Sequence, residues 1–527
     1  MGSVMCIRDS GSTIETDVCI VGAGAAGIAI AHSLMNKGLR VLLLESGGQT
    51  PDKDTSDLNT LTVDGDIDAN VTGTRFNPNR ACRQRFFGGT TNHWTGWCRP
   101  LDEIDFKARP WIPLSGWPIT RSDLDPYYQA ALPYCDLSTP IFTDEESGLT
   151  GLPDYMPSKL ESIFWTFSAP TRFGQKYRAE LDASDNVTVL LYANVVDVVT
   201  DASESNVTAF TVRSLKGKEG TVRAKRYVIA TGALENTRLL LASNSKNPAG
   251  VGNQSGMVGK NYQNHPHLDV GTIVSSDPKA LSALYERRDA TATGGNGFRL
   301  GLGATEAVQE DRKTLNFGAS IQEENAKNAF RTIWNDIKRF NWPDNFSSKM
   351  KMVVEDLVGQ EQRLSHQVYM YTEQAPSEES RIALTNERDA LDMPRIRMDW
   401  KLNELDKHTV KQASLVIGEE IGRLGIGRLK IRDWIMDKDG KFPSSLWGGC
   451  HQIGTTRMSA SAQDGVVDKN CRVHGIDNLY MAGSSVFPTG GHTPPTFTIV
   501  ALALRLADHL VGGASNQPQP DISETPS

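Results

Sequence analysis

Three glycines and one acid carry the first chemistry legible in this chain. The stretch VGAGAAG sets Gly22, Gly24 and Gly27 in a G-x-G-x-x-G pattern, with Ala25 and Ala26 between the last two. Gly22 permits a tight turn, Gly24 lets the backbone approach a pyrophosphate, and Gly27 allows close helix–strand packing. A helix starting there points free N–H groups and its positive dipole end at the pyrophosphate. Glu45 can accept hydrogen bonds from ribose hydroxyls. Alone such a pattern is weak. Here a strand precedes it, a helix follows it, and the acid ends the next strand, which points to a bound dinucleotide. The glycine clusters around Gly294, Gly301 and Gly425 lack this spacing. A flavoprotein reduced by a nicotinamide usually carries a second fingerprint, so one dinucleotide binds and the substrate itself supplies the electrons.

The elements that must hold these residues follow from periodicity. A strand over 17–21, a helix to about Lys37 and a strand over 39–44 make a strand–helix–strand unit. Apolar alternation predicts further strands over 187–199, 209–212 and 227–230. A Trp-, Pro- and Tyr-rich stretch over 111–136 surrounds a short helix. The middle third, about 270–446, lacks Gly-rich nucleotide signatures and contains a charged helical pattern over 404–424. Gly-rich turns then return, and an apolar helix over 496–510 precedes a Gly/Ser/Gln/Pro tail expected to be disordered. At 527 residues the chain has room for roughly three domains.

Further segments carry a resemblance: FFGGTTNHWTGW (86–97), ATGALENTRLLLAS (230–243), GKNYQNHP (259–266), CHQIGTTRM (450–458) and a block from GVVDKN through GGHTPPTFTIV to 510. In this order they resemble the glucose–methanol–choline family of FAD oxidoreductases. They look most similar to the bacterial branch with pyranose oxidases and sugar or glycoside dehydrogenases. The resemblance implies FAD as cofactor and an α/β fold. A Rossmann-like FAD-binding domain with a parallel sheet (1–110, 187–270 and 447–511) would interleave with a substrate domain (111–186 and 271–446) built on a mostly antiparallel sheet plus helices, leaving 512–527 as the tail. Carried over by position, Gly22, Gly24, Ala25, Ala26, Gly27 and Glu45 form the fingerprint. Gly88, Gly89, Thr90, Thr91, Asn92 and His93 match the loop along pyrophosphate and flavin, and Val195 matches the position whose backbone meets adenine. Thr231, Gly483, Ser484, Pro495 and Thr496 also fall at the cofactor. His93 matches a position that carries the flavin covalently in pyranose oxidases; covalent attachment, plain flavin contact and a structural role all stay open. Trp94 and Trp97 would line the flavin or the core.

Oxidising an alcohol requires removing the O–H proton as the C–H hydride leaves for flavin N5. A histidine suits that task, since its pKa of about 6.5 lies near operating pH, and His451 in CHQIGTTRM matches the family's catalytic histidine. The next position departs from the pattern. Where the family places Asn or His beside the substrate oxygen, this chain has Pro494, which offers no donor. Three alternatives follow: His492, two residues earlier, is the second polar group; His451 acts alone or with a partner from the substrate domain; or the site no longer oxidises alcohols. The expected reaction is oxidation of a CH–OH group of a sugar, glycoside or sugar-derived natural product. A non-sugar alcohol, or a flavin-containing lyase, are the alternatives. The electron acceptor is either oxygen or a separate carrier.

Bulk properties exclude other classes. A formal charge of −8 argues against nucleic-acid binding, which needs concentrated positive surface. No apolar run approaches the roughly 18 residues of a spanning helix, so no membrane partner is expected. Seven scattered cysteines without a CxxC pair suggest neither a metal site nor a disulfide framework. With an N-terminus lacking an apolar signal region, they point to a reducing, cytoplasmic location. His265 and His267 are expected to be structural, Arg457 a structural ion-pair partner, and the acidic residues of 373–379 a solvated surface.

Overall fold

The computed structural model describes residues 11–64, 82–290, 294–324, 350, 365–437, 441–443 and 445–512. The tail expected after 512 lies outside them.

Fully apolar strands build the first sheet. Val41–Leu44 is buried at every position, as is the second half of Ser12–Val21. Such runs suit parallel strands covered on both faces. Five strands run parallel in the order Val187–Leu190, Val41–Leu44, Ser12–Val21, Glu219–Ile229 and Leu479–Met481. Glu219–Ile229 changes partner along its length. Its first residues pair antiparallel with Val207–Arg213, which continues to Asn194–Thr200, and its last three take Leu479–Met481. The fingerprint helix, Ala25–Ser33, packs on the C-terminal helix Thr496–Gly512 and on Phe173–Ala183.

The second sheet is antiparallel: Gly427–Ile431, His267–Ser275, Ser365–Thr372, Phe317–Glu324, Gly297–Ala304, Leu160–Phe167 and Trp97–Cys98, in that order. The helix Glu404–Arg423 covers one face through Val410, Ala413, Ile417 and Ile421, spaced three and four apart. Its start is capped by Asn403, whose side chain accepts from the N–H groups of Leu405 and Asp406. A three-stranded sheet of Arg381–Arg388, Pro394–Asp399 and Leu61–Asp64 completes the described strands.

The mixed α/β class therefore holds, while the division between the two cores departs from the expected boundaries. The helices Arg121–Ala131 and Phe173–Ala183, from the segment expected on the substrate side, put Leu124, Tyr128, Tyr177 and Leu181 into the nucleotide-side core. Conversely, Trp97–Cys98 and the start of His267–Ser275 pair in the antiparallel sheet. An amphipathic helix shows which residues it buries but not against which sheet, so periodicity could not assign these pieces.

Three further expectations are corrected. Cys82 and Cys450, 368 residues apart, are joined by a disulfide with Cα atoms 5.2 Å apart. This removes the cysteine argument for a reducing compartment. Glu373 is not on a solvated surface: it is fully buried, and both its oxygens take guanidinium nitrogens of Arg109 at 2.7 and 2.8 Å. Glu378 and Glu379 are exposed as expected. Arg457 is structural, but its guanidinium donates to the main-chain carbonyls of Asp464 and Leu114 rather than to a carboxylate.

Candidate active site

One cavity of about 750 Å³ runs from the fingerprint turn to the antiparallel sheet. At its first end the glycines divide by task. Gly22 sits at φ +99°, and a Cβ there would lie 2.6 Å from the Ala230 carbonyl oxygen. A Cβ on Gly27 would fall 1.8 Å from the Gly22 carbonyl oxygen, so this glycine serves packing and does not face the cavity. A Cβ on Gly24 would meet nothing within 4 Å. Its bare backbone borders the cavity with Ala25 and Ala26, at the start of a helix with no side-chain cap. This is a cradle for an anionic group. Glu45 is buried and accepts from the N–H groups of Ala23 and Gly47, both at 2.9 Å, one on each oxygen. Burial raises its pKa, and each oxygen keeps a lone pair for a further donor. Val195, Thr231, Gly483 and Ser484 line the same wall.

The loop from Phe86 divides similarly. Gly89, Thr90, His93 and Trp94 border the cavity. Gly88, Thr91 and Asn92 shape the turn instead: Thr91 donates to the Gly88 carbonyl at 2.6 Å, and Asn92 to those of Phe87 and Gly89 at 3.0 Å. Trp94 is fixed by its indole N–H on the Thr171 carbonyl at 2.7 Å. A charged group the sequence reading missed stands nearby. Arg83 and Arg85 clasp Glu235 at 2.8 and 2.5 Å, and Arg238 pairs with Asp389 at 2.7 Å. The arginines hold the Glu235 carboxyl down at about 2 despite burial.

At the other end stands His451. Its loop is pinned by two antiparallel bridges, Gln263 with Ile453 and His267 with Trp447, and by the disulfide at Cys450. The segment expected at the domain edge is the cradle of this loop. Asn264 Oδ1 accepts the His451 main-chain N–H at 2.8 Å. His265 Nδ1 lies 2.8 Å from His451 Nδ1, and His265 Nε2 lies 3.2 Å from the Gly490 carbonyl oxygen. The His267 ring packs edge-on against His451 at 5.7 Å, Trp447 at 4.6 Å and Tyr371 at 4.8 Å. His267 lines the cavity, and His265 reaches it only through the ring of His451, so both lie nearer the site than the expected domain edge. Burial pushes His265 and His267 each down to about 3. His451 is driven well below the ordinary histidine value, first by burial and then by its two neighbours.

His492 and Pro494 line the cavity too. The His492 ring is buried against Trp165 and lies close over Gly318, with Nε2 3.2 Å from the Asp102 carboxylate. Trp97, Trp165 and Tyr371 form an aromatic floor on the antiparallel sheet. Beside it the Tyr371 hydroxyl bonds Ser320 at 3.0 Å. Among the described residues no group of three or more His, Cys, Asp or Glu could hold a metal, and no helix is long and apolar enough to cross a membrane.

Comparison with known proteins agrees with this geometry. Residues 17–340 match the model of the FAD dependent oxidoreductase family, and residues 376–503 match that of the GMC oxidoreductase C-terminal domain. The chain belongs to the glucose–methanol–choline family of FAD-dependent oxidoreductases. FAD is its cofactor. Among relatives of this GMC oxidoreductase, a 2-methyl-1,2-propanediol dehydrogenase of Mycolicibacterium austroafricanum is 23% identical, over 95% of this chain and 96% of the relative. The fructose dehydrogenase large subunit of Gluconobacter japonicus is 23% identical, over 95% and 99%. A solved pyridoxine 4-oxidase from Mesorbium loti shares the fold, with a TM-score of 0.52 at 18% identity over 94% of this chain and 98% of that one. The open cradle at Gly24 and the acceptor left on Glu45 fit FAD in this GMC chain.

Proposed function

We propose that this enzyme oxidises a CH–OH group of a sugar, glycoside or related polyol, with His451 as the base. The observation that carries the reading is one continuous cavity with the Gly24 cradle at one end, and His451 opposite an aromatic, hydroxyl-bearing sheet face at the other. Gly22, Gly24, Ala25, Ala26 and Glu45 would hold the pyrophosphate and ribose end of FAD, with Gly27 packing the helix behind them. Val195 and Thr231 would border the adenosine. Gly89, Thr90, His93 and Trp94, in a loop shaped by Gly88, Thr91 and Asn92, would bound the remainder with Gly483, Ser484, Pro495 and Thr496. When bound, FAD supplies the two-electron acceptor for the C–H hydride.

The chain's own residues do the rest. His451, neutral through burial, takes the hydroxyl proton on Nε2, which has no protein partner among the described residues. Pro494 cannot hold the substrate oxygen. His267 stands beside His451 on the cavity wall and is the neighbour placed to do so. His492 is turned to Asp102 and serves in second place. Trp97, backed by the buried Trp165, offers a flat apolar face on which the C–H face of a sugar would stack, and Tyr371 offers a hydroxyl at its edge. The name of the fructose dehydrogenase relative supports a sugar; that of the propanediol dehydrogenase keeps a small non-sugar diol as second reading.

Anaerobic mixing of the yellow holoenzyme with sugars, glycosides, polyols and simple alcohols tests this. Flavin bleaching by sugars or glycosides, abolished in His451→Ala, is the expected result. Bleaching only by non-sugar diols would replace the substrate class, and no bleaching by any alcohol would overturn the reading. Re-admitting air then separates oxidase from dehydrogenase.

A further inference from the structure

Four atoms in line decide which nitrogen of His451 is free. The Gly490 carbonyl oxygen can only accept, so the His265 Nε2 that faces it at 3.2 Å carries a proton. His265 is fully buried with no carboxylate among its hydrogen-bond partners, and is held as the neutral ring. A neutral imidazole has one N–H, so His265 Nδ1 is bare and accepts. Its neighbour at 2.8 Å, His451 Nδ1, must then be the donor. Since His451 is also neutral, its single proton sits on Nδ1 and the lone pair on Nε2.

We infer that His265 is a positioning residue which, by accepting from His451 Nδ1–H and donating to the Gly490 carbonyl, locks His451 in the tautomer whose Nε2 is a base. This deepens the proposed reaction, in which His451 takes the substrate proton. The chain runs from the Gly-Gly turn before His492 through His265 to His451, so the turn's backbone sets the polarity of the base. As the base is protonated, Nδ1–H remains a donor to His265, so no proton needs to move along the chain. Asn264 secures the register. Its Oδ1 takes the main-chain N–H of His451 at 2.8 Å and of His265 at 3.1 Å, while its Nδ2 donates to the Tyr262 hydroxyl at 3.2 Å. The two histidines are thereby tied through both backbone and ring.

The direct test is the ¹⁵N spectrum of the histidine rings in holoenzyme at neutral pH, with the His451 signals assigned by their loss in His451→Gln. A protonated Nδ1 and an unprotonated Nε2 on His451 is the expected result. The opposite tautomer, or a doubly protonated ring, would overturn the inference. Two substitutions add a kinetic readout in rapid-reaction flavin reduction. His265→Asn keeps a carbonyl acceptor near the Nδ1 position and is expected to stay within about tenfold of the parent, whereas His265→Leu removes it and costs roughly 100-fold or more. FAD content and substrate dissociation constant should be unchanged in both. Equal losses in the two variants, or a loss that follows FAD content, would mark His265 as merely structural. If no alcohol reduces the parent enzyme, the proposed reaction fails, while the tautomer is still read from the spectrum.

Discussion

His451 gains its chemistry from where its ring lies rather than from its type. Burial and two neighbouring imidazoles lower its pKa, so the neutral base persists on acidification past the ordinary histidine value. The sign is therefore definite. The rate of flavin reduction should stay level through about pH 6.5 and fall only below it, as stopped-flow measurements across that range would show. A midpoint at or above 6.5 would mean that the ring is solvated or paired with a carboxylate. The second polar group can be assigned by comparison. His267→Ala is expected to lower the reduction rate by about 100-fold, in the manner of a lost oxyanion donor, and His492→Ala by about tenfold or less. The reverse order would return His492 to the role its place beside Pro494 suggested. His451, His492 and Pro494 were legible from CHQIGTTRM and HTPPT. The places of His265 and His267 were not, because a histidine's partners come from 186 residues away in the chain, a relation no local pattern encodes.

The fingerprint turn and its helix form the element on which cofactor binding rests, and two neighbouring glycines separate packing from recognition. Gly24 has an ordinary φ of −88°, and a Cβ there would project into the open cradle. Gly24→Ala is expected to leave the thermal melt of the apoprotein unchanged while weakening FAD binding by about tenfold or more, some 1.4 kcal/mol. Titration of the apoprotein with FAD would measure it. Gly27→Ala drives its methyl into the Gly22 carbonyl and should destabilise the fold itself by about 1–3 kcal/mol. Urea unfolding of the apoproteins tells the two variants apart. This element was readable because a strand, a Gly-rich turn and a helix within a short window repeat a local stereochemical requirement. The helices Arg121–Ala131 and Phe173–Ala183 were readable as helices only, since their apolar faces suit either core.

Across the whole molecule, the His451 loop is held to the nucleotide side by the Cys82–Cys450 disulfide, with Cys82 and Cys450 both on the cavity wall. Replacing both cysteines by serine is expected to cost about 2–5 kcal/mol of stability. Because Cys450 adjoins His451, flavin reduction should also slow. An unchanged melting temperature and rate would reduce the bridge to an incidental contact. The Arg109–Glu373 pair, buried at 2.7 Å and bridging 264 residues, plays the same part between segments that the sequence places far apart.

Legible in the residues alone were the nucleotide fingerprint, the alternation of strands and helices, the family resemblance, and His451 as the candidate base. Each of these depends on residue types at short spacing, where backbone stereochemistry and hydrogen-bonding capacity act locally. Visible only in the folded chain are which helix serves which core, that two cysteines 368 residues apart meet, that Glu373 is buried in an ion pair, and that the His265 ring meets that of His451. These depend on where distant segments are brought together, and burial and pairing there, rather than residue type, set charge state and tautomer.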